Sequence, residues 1–278
     1  NHYHILQDTG KTSDMSAPEA TVVGVVQEEG NVVEAQQTLQ ERVQRMQEEL
    51  DCPQEMVEDL LSITGSDIVI IADDSGSMNS RSDGMKTRWD ELKSTLRSLA
   101  QMLLVVDHSD GFDVTFLNDP QWYKVKSIAD VDSLFENRAP RGGTPLMSKC
   151  KPILTGEWHP KGSDNDGNDL ILLVMTDGEP SDCSFTELKQ AIANKAKNIY
   201  VTFLMCTSED EVVSKYNRYL DRIPFVDIVD DYHSEKKEVE HRGRHLSYFM
   251  WLGKSVLGAK LPKYDKMDEG KCCACLLQ

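Results

Sequence analysis

No apolar run in the 278 residues approaches the ~20 that a membrane-spanning helix needs. The N-terminus lacks the basic, apolar and small-residue order of a secretory signal, so entry to the secretory route is not expected. The chain also lacks a starting Met. Residues 1–14 read as a leftover of expression or the end of a longer product, with Met15-Ser16-Ala17 as the natural start. Basic charge is scarce: 30 Lys and Arg stand against 47 Asp and Glu, for a net charge of −17. That deficit argues against a nucleic-acid groove, which must neutralise phosphates. Cys52, Cys150, Cys183 and Cys206 have no metal or redox spacing and read as buried or indifferent thiols of a reducing compartment. There is no Cys/His array of RING type, which argues against a self-contained ubiquitin ligase.

What is present is organised around Ile68-Val-Ile-Ile-Ala-Asp-Asp-Ser-Gly-Ser-Met78. Ile68 to Ala72 is short, β-branched and apolar, the pattern of a strand buried on both faces. Asp73, Ser75 and Ser77 follow at alternate positions just past the strand end, where open α/β sheets place ligands. Such hard oxygen donors suit Mg²⁺, Mn²⁺ or Ca²⁺ better than zinc or copper. A polar turn after a strand is the plain alternative.

The remaining chain alternates between strand and helix patterns. Helix Trp89–Val106 is followed by strand Phe112–Leu117, an edge strand over Gln121–Lys126 and helix Ile128–Phe135. The turn Arg141-Gly-Gly-Thr-Pro145 leads into helix Leu146–Leu154. Strand Leu170–Thr176, helix Phe185–Ala196, strand Ile199–Cys206, helix Glu211–Leu220, strand Phe225–Val229 and helix Tyr248–Leu257 complete the series. This order predicts an α/β fold: a doubly wound, mostly parallel six-stranded sheet with one antiparallel edge strand and helices on both faces. Residues 1–30 read as a disordered or vector-derived tail, and 31–65 as an acidic helical extension. Within that extension, Leu39, Val43, Met46 and Leu50 form one stripe, and Pro53 opens a short helix through Leu61 capped near Gly65. Residues 66–262 form the main domain and 263–278 a flexible tail.

Two more loops carry oxygen ligands: Thr144 in its turn, and Asp177 after Thr176. If the Ile68 and Leu170 strands are neighbours, Asp73, Ser75, Ser77, Thr144 and Asp177 face one crevice at a topological switch point. Mg²⁺ usually keeps water-filled positions, and an acidic side chain from a partner can take one.

These residues resemble a von Willebrand factor type A domain with a metal-ion-dependent adhesion site, of the intracellular fungal and protist kind. The likeness rests on Asp73-Asp-Ser-Gly-Ser-Met78, Gly142-Gly-Thr-Pro145 and Thr176-Asp-Gly-Glu-Pro180. It extends to Trp89-Asp-Glu, Asp113-Val-Thr-Phe-Leu-Asn118, Asp227-Ile-Val-Asp230 and Leu257-Gly-Ala-Lys-Leu. The resemblance implies a Rossmann-like fold and a complete metal site of Asp73, Ser75, Ser77, Thr144 and Asp177. It also implies a non-enzymatic module that binds a protein partner through an Asp or Glu. Asp74 departs from the neutral residue usual there, and either sharpens cation attraction or weakens acidic-ligand binding.

A haloacid-dehalogenase-like phosphatase would want a second acid two residues after Asp73, where this chain has Ser75. A serine nucleophile needs a positioned base, and there is no Gly-x-Ser-x-Gly elbow. Asp164–Asp169 echoes a calcium loop but lacks its Gly and terminal Glu, so it reads as a solvated connection. His241 and His245 lack a third zinc ligand and read as a basic helix start beside Arg242 and Arg244.

The chain ends Lys271-Cys-Cys-Ala-Cys-Leu-Leu-Gln278. Cys275-Leu-Leu-Gln278 fits the C-a-a-X pattern, with a terminal Gln favouring farnesyl. One chain anchors only marginally, so a second signal is expected. Cys272 and Cys273 are candidates for palmitoylation, and Lys254, Lys260, Lys263, Lys266 and Lys271 for a modest basic supplement. The expected place is the cytoplasmic face of a membrane, with no nucleic acid as partner.

Overall fold

The computed structural model describes residues 41, 44, 46–48, 51–82, 86–106, 111–158, 168–265 and 267. The described residues all belong to one compact unit, Gln40–Gln278.

Six strands form one sheet: β1 (Asp67–Ala72), β2 (Phe112–Phe116), β3 (Trp122–Val125), β4 (Leu170–Thr176), β5 (Ile199–Met205) and β6 (Val226–Val229). Their spatial order is β3-β2-β1-β4-β5-β6. All neighbours run parallel except β2 and β3, so β3 is the antiparallel edge the sequence pattern predicts. The order reverses between β1 and β4, which places the switch point there. All seven residues of β4 are buried, because helices cover both faces and leave no side for water.

The two faces divide the core between them. Ile68, Ile70 and Ala72 of β1 face one cluster, and Val69 and Ile71 face the other. On the first face lie α1 (Gln54–Ser62), α2 (Arg88–Val106), α3 (Ile128–Phe135), α7 (Tyr232–His241) and α8 (Tyr248–Leu257). On the second lie α4 (Leu146–Leu154), α5 (Phe185–Ala193) and α6 (Asp210–Tyr219). Several helices start on reciprocal boxes legible in the sequence. Ser127 pairs with Asp130 before α3 and Ser184 with Glu187 before α5. At the head of α2 the Thr87 hydroxyl accepts from the Asp90 amide at 3.1 Å, while Asp90 accepts from the Thr87 amide at 2.9 Å.

The ends of the domain and the His241 segment are sharpened or corrected by the fold. Met46 is fully buried in the first core cluster, and Met56, Val57 and Leu60 of α1 join it, so the end of the acidic extension belongs to the domain. The one-turn helix α9 (Pro262–Asp265) likewise docks: Tyr264 is buried and its hydroxyl donates to Asp59, which removes 263–265 from the flexible tail. His241 ends a helix rather than starting one, since α7 was hidden in a very polar stretch. His245 lies 3.6 Å from Asp51, with no zinc partner among the described residues.

The basic supplement is mostly spent inside the fold. Lys254 is buried against Glu235 at 2.8 and 2.9 Å, Lys260 pairs with Asp169 at 2.8 Å, and Lys263 with Glu55 at 2.6 Å. Amphipathic periodicity could not reveal this, because Lys254 sits on the apolar face of α8 only by virtue of its partner. Lys266, Lys271, Cys272, Cys273, Cys275, Leu39, Val43, Leu50 and residues 164–167 lie outside the described residues. Among the described residues no helix is long and apolar enough to cross a membrane.

Candidate metal centre at the β1–β4 switch point

In-register pairing sets the site. Ala72 lies opposite Met175, and the Asp73 amide donates to the Met175 carbonyl at 2.9 Å, so the two strand ends deliver their polar loops side by side. Asp73 is wholly buried. Its Oδ1 accepts the Ser75 amide at 2.8 Å and its Oδ2 accepts the Thr176 hydroxyl at 2.6 Å. A single turn of 3₁₀ helix, Gly76–Asn79, then swings Ser77 back over the strand ends.

Ser75 Oγ and Ser77 Oγ are 2.9 Å apart, and Ser77 Oγ donates to Asp177 Oδ1 at 2.7 Å. These contacts join oxygens from β1 and β4, a hundred residues apart. Thr144 completes the group from the turn before α4. A Cβ built on Gly178 would meet Thr144 Oγ1 at 3.4 Å and Ser77 Oγ at 3.9 Å, so both hydroxyls flank that backbone. All five residues expected as ligands are thus brought together. Ser75, Thr144 and Asp177 are buried, while Ser77 is exposed and opens the group to solvent.

The Thr144 turn has its own supports. Gly142 has φ +89°, a region open to Gly and costly for other residues, and its carbonyl accepts from the Gly76 amide at 3.1 Å. Ser181 Oγ accepts the Thr144 amide at 2.9 Å, and the Ser181 amide donates to the Thr144 carbonyl at 2.9 Å. Asn118 Nδ2 donates to the Gly143 carbonyl at 2.9 Å and to Asp74 Oδ1 at 3.0 Å. Asp74 has a structural role beside the charge it brings to the site. Buried, it faces Asn118 and the Arg138 guanidinium, 3.6 Å away, and holds the β1, β2 and Thr144 loops together.

Two carboxylates and three hydroxyls make an all-oxygen donor set that fits a hard dication. Asp73 retains lone pairs beyond those its two donors use. Among the described residues no group of three or more His, Cys, Asp or Glu could hold a metal, so the hydroxyls are essential to the fit. Burial pushes the Asp73 carboxyl up to about 6, against the hydrogen bonds from Ser75 and Thr176 that favour its ionised form. One residue escaped the sequence reading. Arg88, first in α2, donates from one guanidinium nitrogen to Asp177 Oδ2 at 2.9 Å and from the other to Glu209 at 2.5 Å. Only its place beside Trp89 marked it, and helix periodicity says nothing about a bridge across the strand ends. Burial lifts the thiols of Cys52 and Cys150 to about 12 and of Cys183 to about 11, and raises Cys206, which disfavours the reactive thiolate.

No family model matches the chain, and neither does any curated protein. Solved structures align with it at low identity. The VWA domain of SpRpn10 aligns at TM-score 0.46 and 14% identity over 59% of this chain and 87% of that one. The von Willebrand factor type A structure from Catenulispora acidiphila aligns at 0.43 and 14%, over 74% of this chain and 43% of that one. The manganese-loaded TRAP protein of Plasmodium vivax aligns at 0.41 and 16%, over 62% and 71%. At these scores the likeness carries no argument about activity, and the fold stands on its own strand order.

Proposed function

We propose that this chain is a non-enzymatic, divalent-cation-dependent protein-binding module held at the cytoplasmic face of a membrane by prenylation of Cys275. Asp73, Ser75, Ser77, Thr144 and Asp177 would hold Mg²⁺, with Mn²⁺ or Ca²⁺ able to take its place. The observation that carries this reading is the oxygen chain Ser75–Ser77–Asp177, with steps of 2.9 and 2.7 Å across the β1–β4 switch point. Bound there, the cation supplies an electrophilic position for a partner's Asp or Glu. Ser77, on the exposed side, marks where such a side chain approaches.

Calorimetric titration with Mn²⁺ tests the site: saturable binding to the wild type and its loss in Asp73→Ala are expected. Proximity labelling of both forms at native level then tests the function. Neighbours lost in Asp73→Ala support recognition through the cation, and an identical set of neighbours counts against it. Membrane partition that is unchanged in Cys275→Ser would sink the anchor.

A second reading is a structural scaffold whose cation only rigidifies loops. It is favoured by the hydrogen bonds that already join Asp73 to Thr176 and Ser77 to Asp177. Unchanged neighbours together with a melting temperature lowered by chelation would select it. Metal-assisted hydrolysis is the remaining alternative, and a phosphatase and esterase screen with and without Mg²⁺ separates it.

A further inference from the structure

Arg88 joins the candidate metal site to a helix outside it, and three observations define what it can do. Its side chain is 11% exposed, between a wholly buried Asp177 and a Glu209 that is 58% exposed. Its backbone is pinned: the Thr87–Asp90 box fixes the head of α2, and the Arg88 amide donates to the Ser80 carbonyl at 3.0 Å. Both oxygens of Asp177 are engaged, Oδ1 by Ser77 and Oδ2 by Arg88. A dication that draws on Asp177 therefore meets a guanidinium on the same carboxylate, and like charges repel strongly in a half-buried setting.

Glu209 gives the guanidinium another partner. The Glu209 backbone is held by the Thr207 hydroxyl at 3.1 Å, just before α6, while its carboxylate stays at the surface. α6 is tied in turn to the loop after Asp177. Tyr216 donates to the Gly178 carbonyl at 2.8 Å, and Lys215 pairs with Glu179 at 2.6 Å.

We infer that Arg88 is a built-in competitor of the divalent cation, holding Asp177 when no cation is bound and passing to Glu209 when one takes Asp177. Arg88 thereby lowers cation affinity, and Glu209 raises it by giving the guanidinium somewhere to go. The inference rests on the metal-site reading above. A purely structural ion pair would bind the three elements together without opposite effects on affinity.

The test is calorimetric Mn²⁺ titration of the full chain as wild type, Arg88→Gln and Glu209→Gln, with circular dichroism confirming the fold of each. Arg88→Gln is expected to bind Mn²⁺ on the order of tenfold more tightly, the change that 1.4 kcal/mol of relieved repulsion produces. Glu209→Gln is expected to bind severalfold more weakly. Equal or weaker binding by Arg88→Gln overturns the inference while leaving the metal site standing. If Arg88→Gln does not fold, Glu209→Gln decides alone, because its side chain is at the surface: weaker binding supports the inference, and equal or tighter binding overturns it. Binding by Arg88→Gln where the wild type shows none supports it in the strongest form. Absence of saturable binding in all three overturns the metal site itself and the inference with it.

Discussion

The Thr176 hydroxyl donates to Oδ2 of Asp73 at 2.6 Å across the β1–β4 seam, and both residues are wholly buried. The bond orients a carboxylate that burial would otherwise drive to its neutral form. Thr176→Val keeps the shape and deletes the donor. It is expected to cost about 1–3 kcal/mol in urea unfolding, the penalty for a buried polar group left without its partner. Mn²⁺ affinity should fall with it, and an unchanged unfolding midpoint would refute the role given to this bond.

Gly142 offers a test of the Thr144 turn. Its φ is +89°, and an added Cβ would lie 2.6 Å from Asn118 Oδ1. Asn118 cannot retreat without releasing Asp74 and the Gly143 carbonyl. Gly142→Ala should therefore lower stability by about 1–3 kcal/mol through the strained backbone alone. Denaturant unfolding measures the loss, and cation affinity should drop as Thr144 shifts.

The Lys254–Glu235 pair is buried, with side chains 1% and 3% exposed. Lys254→Met should cost about 3–5 kcal/mol, because it removes the ammonium that faces the buried Glu235 carboxylate. Lys254→Met combined with Glu235→Leu should recover much of that loss. A double variant as unstable as the sum of the two single variants would show that the charges are not coupled.

Asp230 predicts a pH dependence. Burial first, then the charges of Glu235, Glu238 and Asp231, push its carboxyl from 3.8 up to about 7, while Lys254 opposes the rise. The folded state thus holds this proton more tightly than the unfolded state. The contribution to stability is full below about pH 4 and is lost as pH rises through 7. Asp230→Asn, which cannot ionise, should gain stability relative to the wild type between pH 4 and pH 8. Parallel melting-temperature curves for the two over that range would contradict the assignment.

Fold and site were legible in the sequence to different depths. Buried strands advertise themselves: the runs Ile68–Ala72 and Leu170–Thr176 are apolar because both faces are covered, and α3, α4 and α8 begin and end where their patterns do. The very polar α7 and the one-turn α9 gave no such pattern, because what holds them is contact with the finished core. Asp73, Ser75 and Ser77 could be read as candidate ligands because alternate positions after a strand end are local facts. That Thr144 and Asp177 join them depends on β1 pairing with β4, a contact between distant segments that only the folded sheet makes. The folded chain also decided which charges are spent. Lys254 turned inward to Glu235, Asp74 to Asn118 and Arg138, and Arg88 to Asp177. Sequence records that a side chain carries charge, and tertiary structure alone assigns its partner.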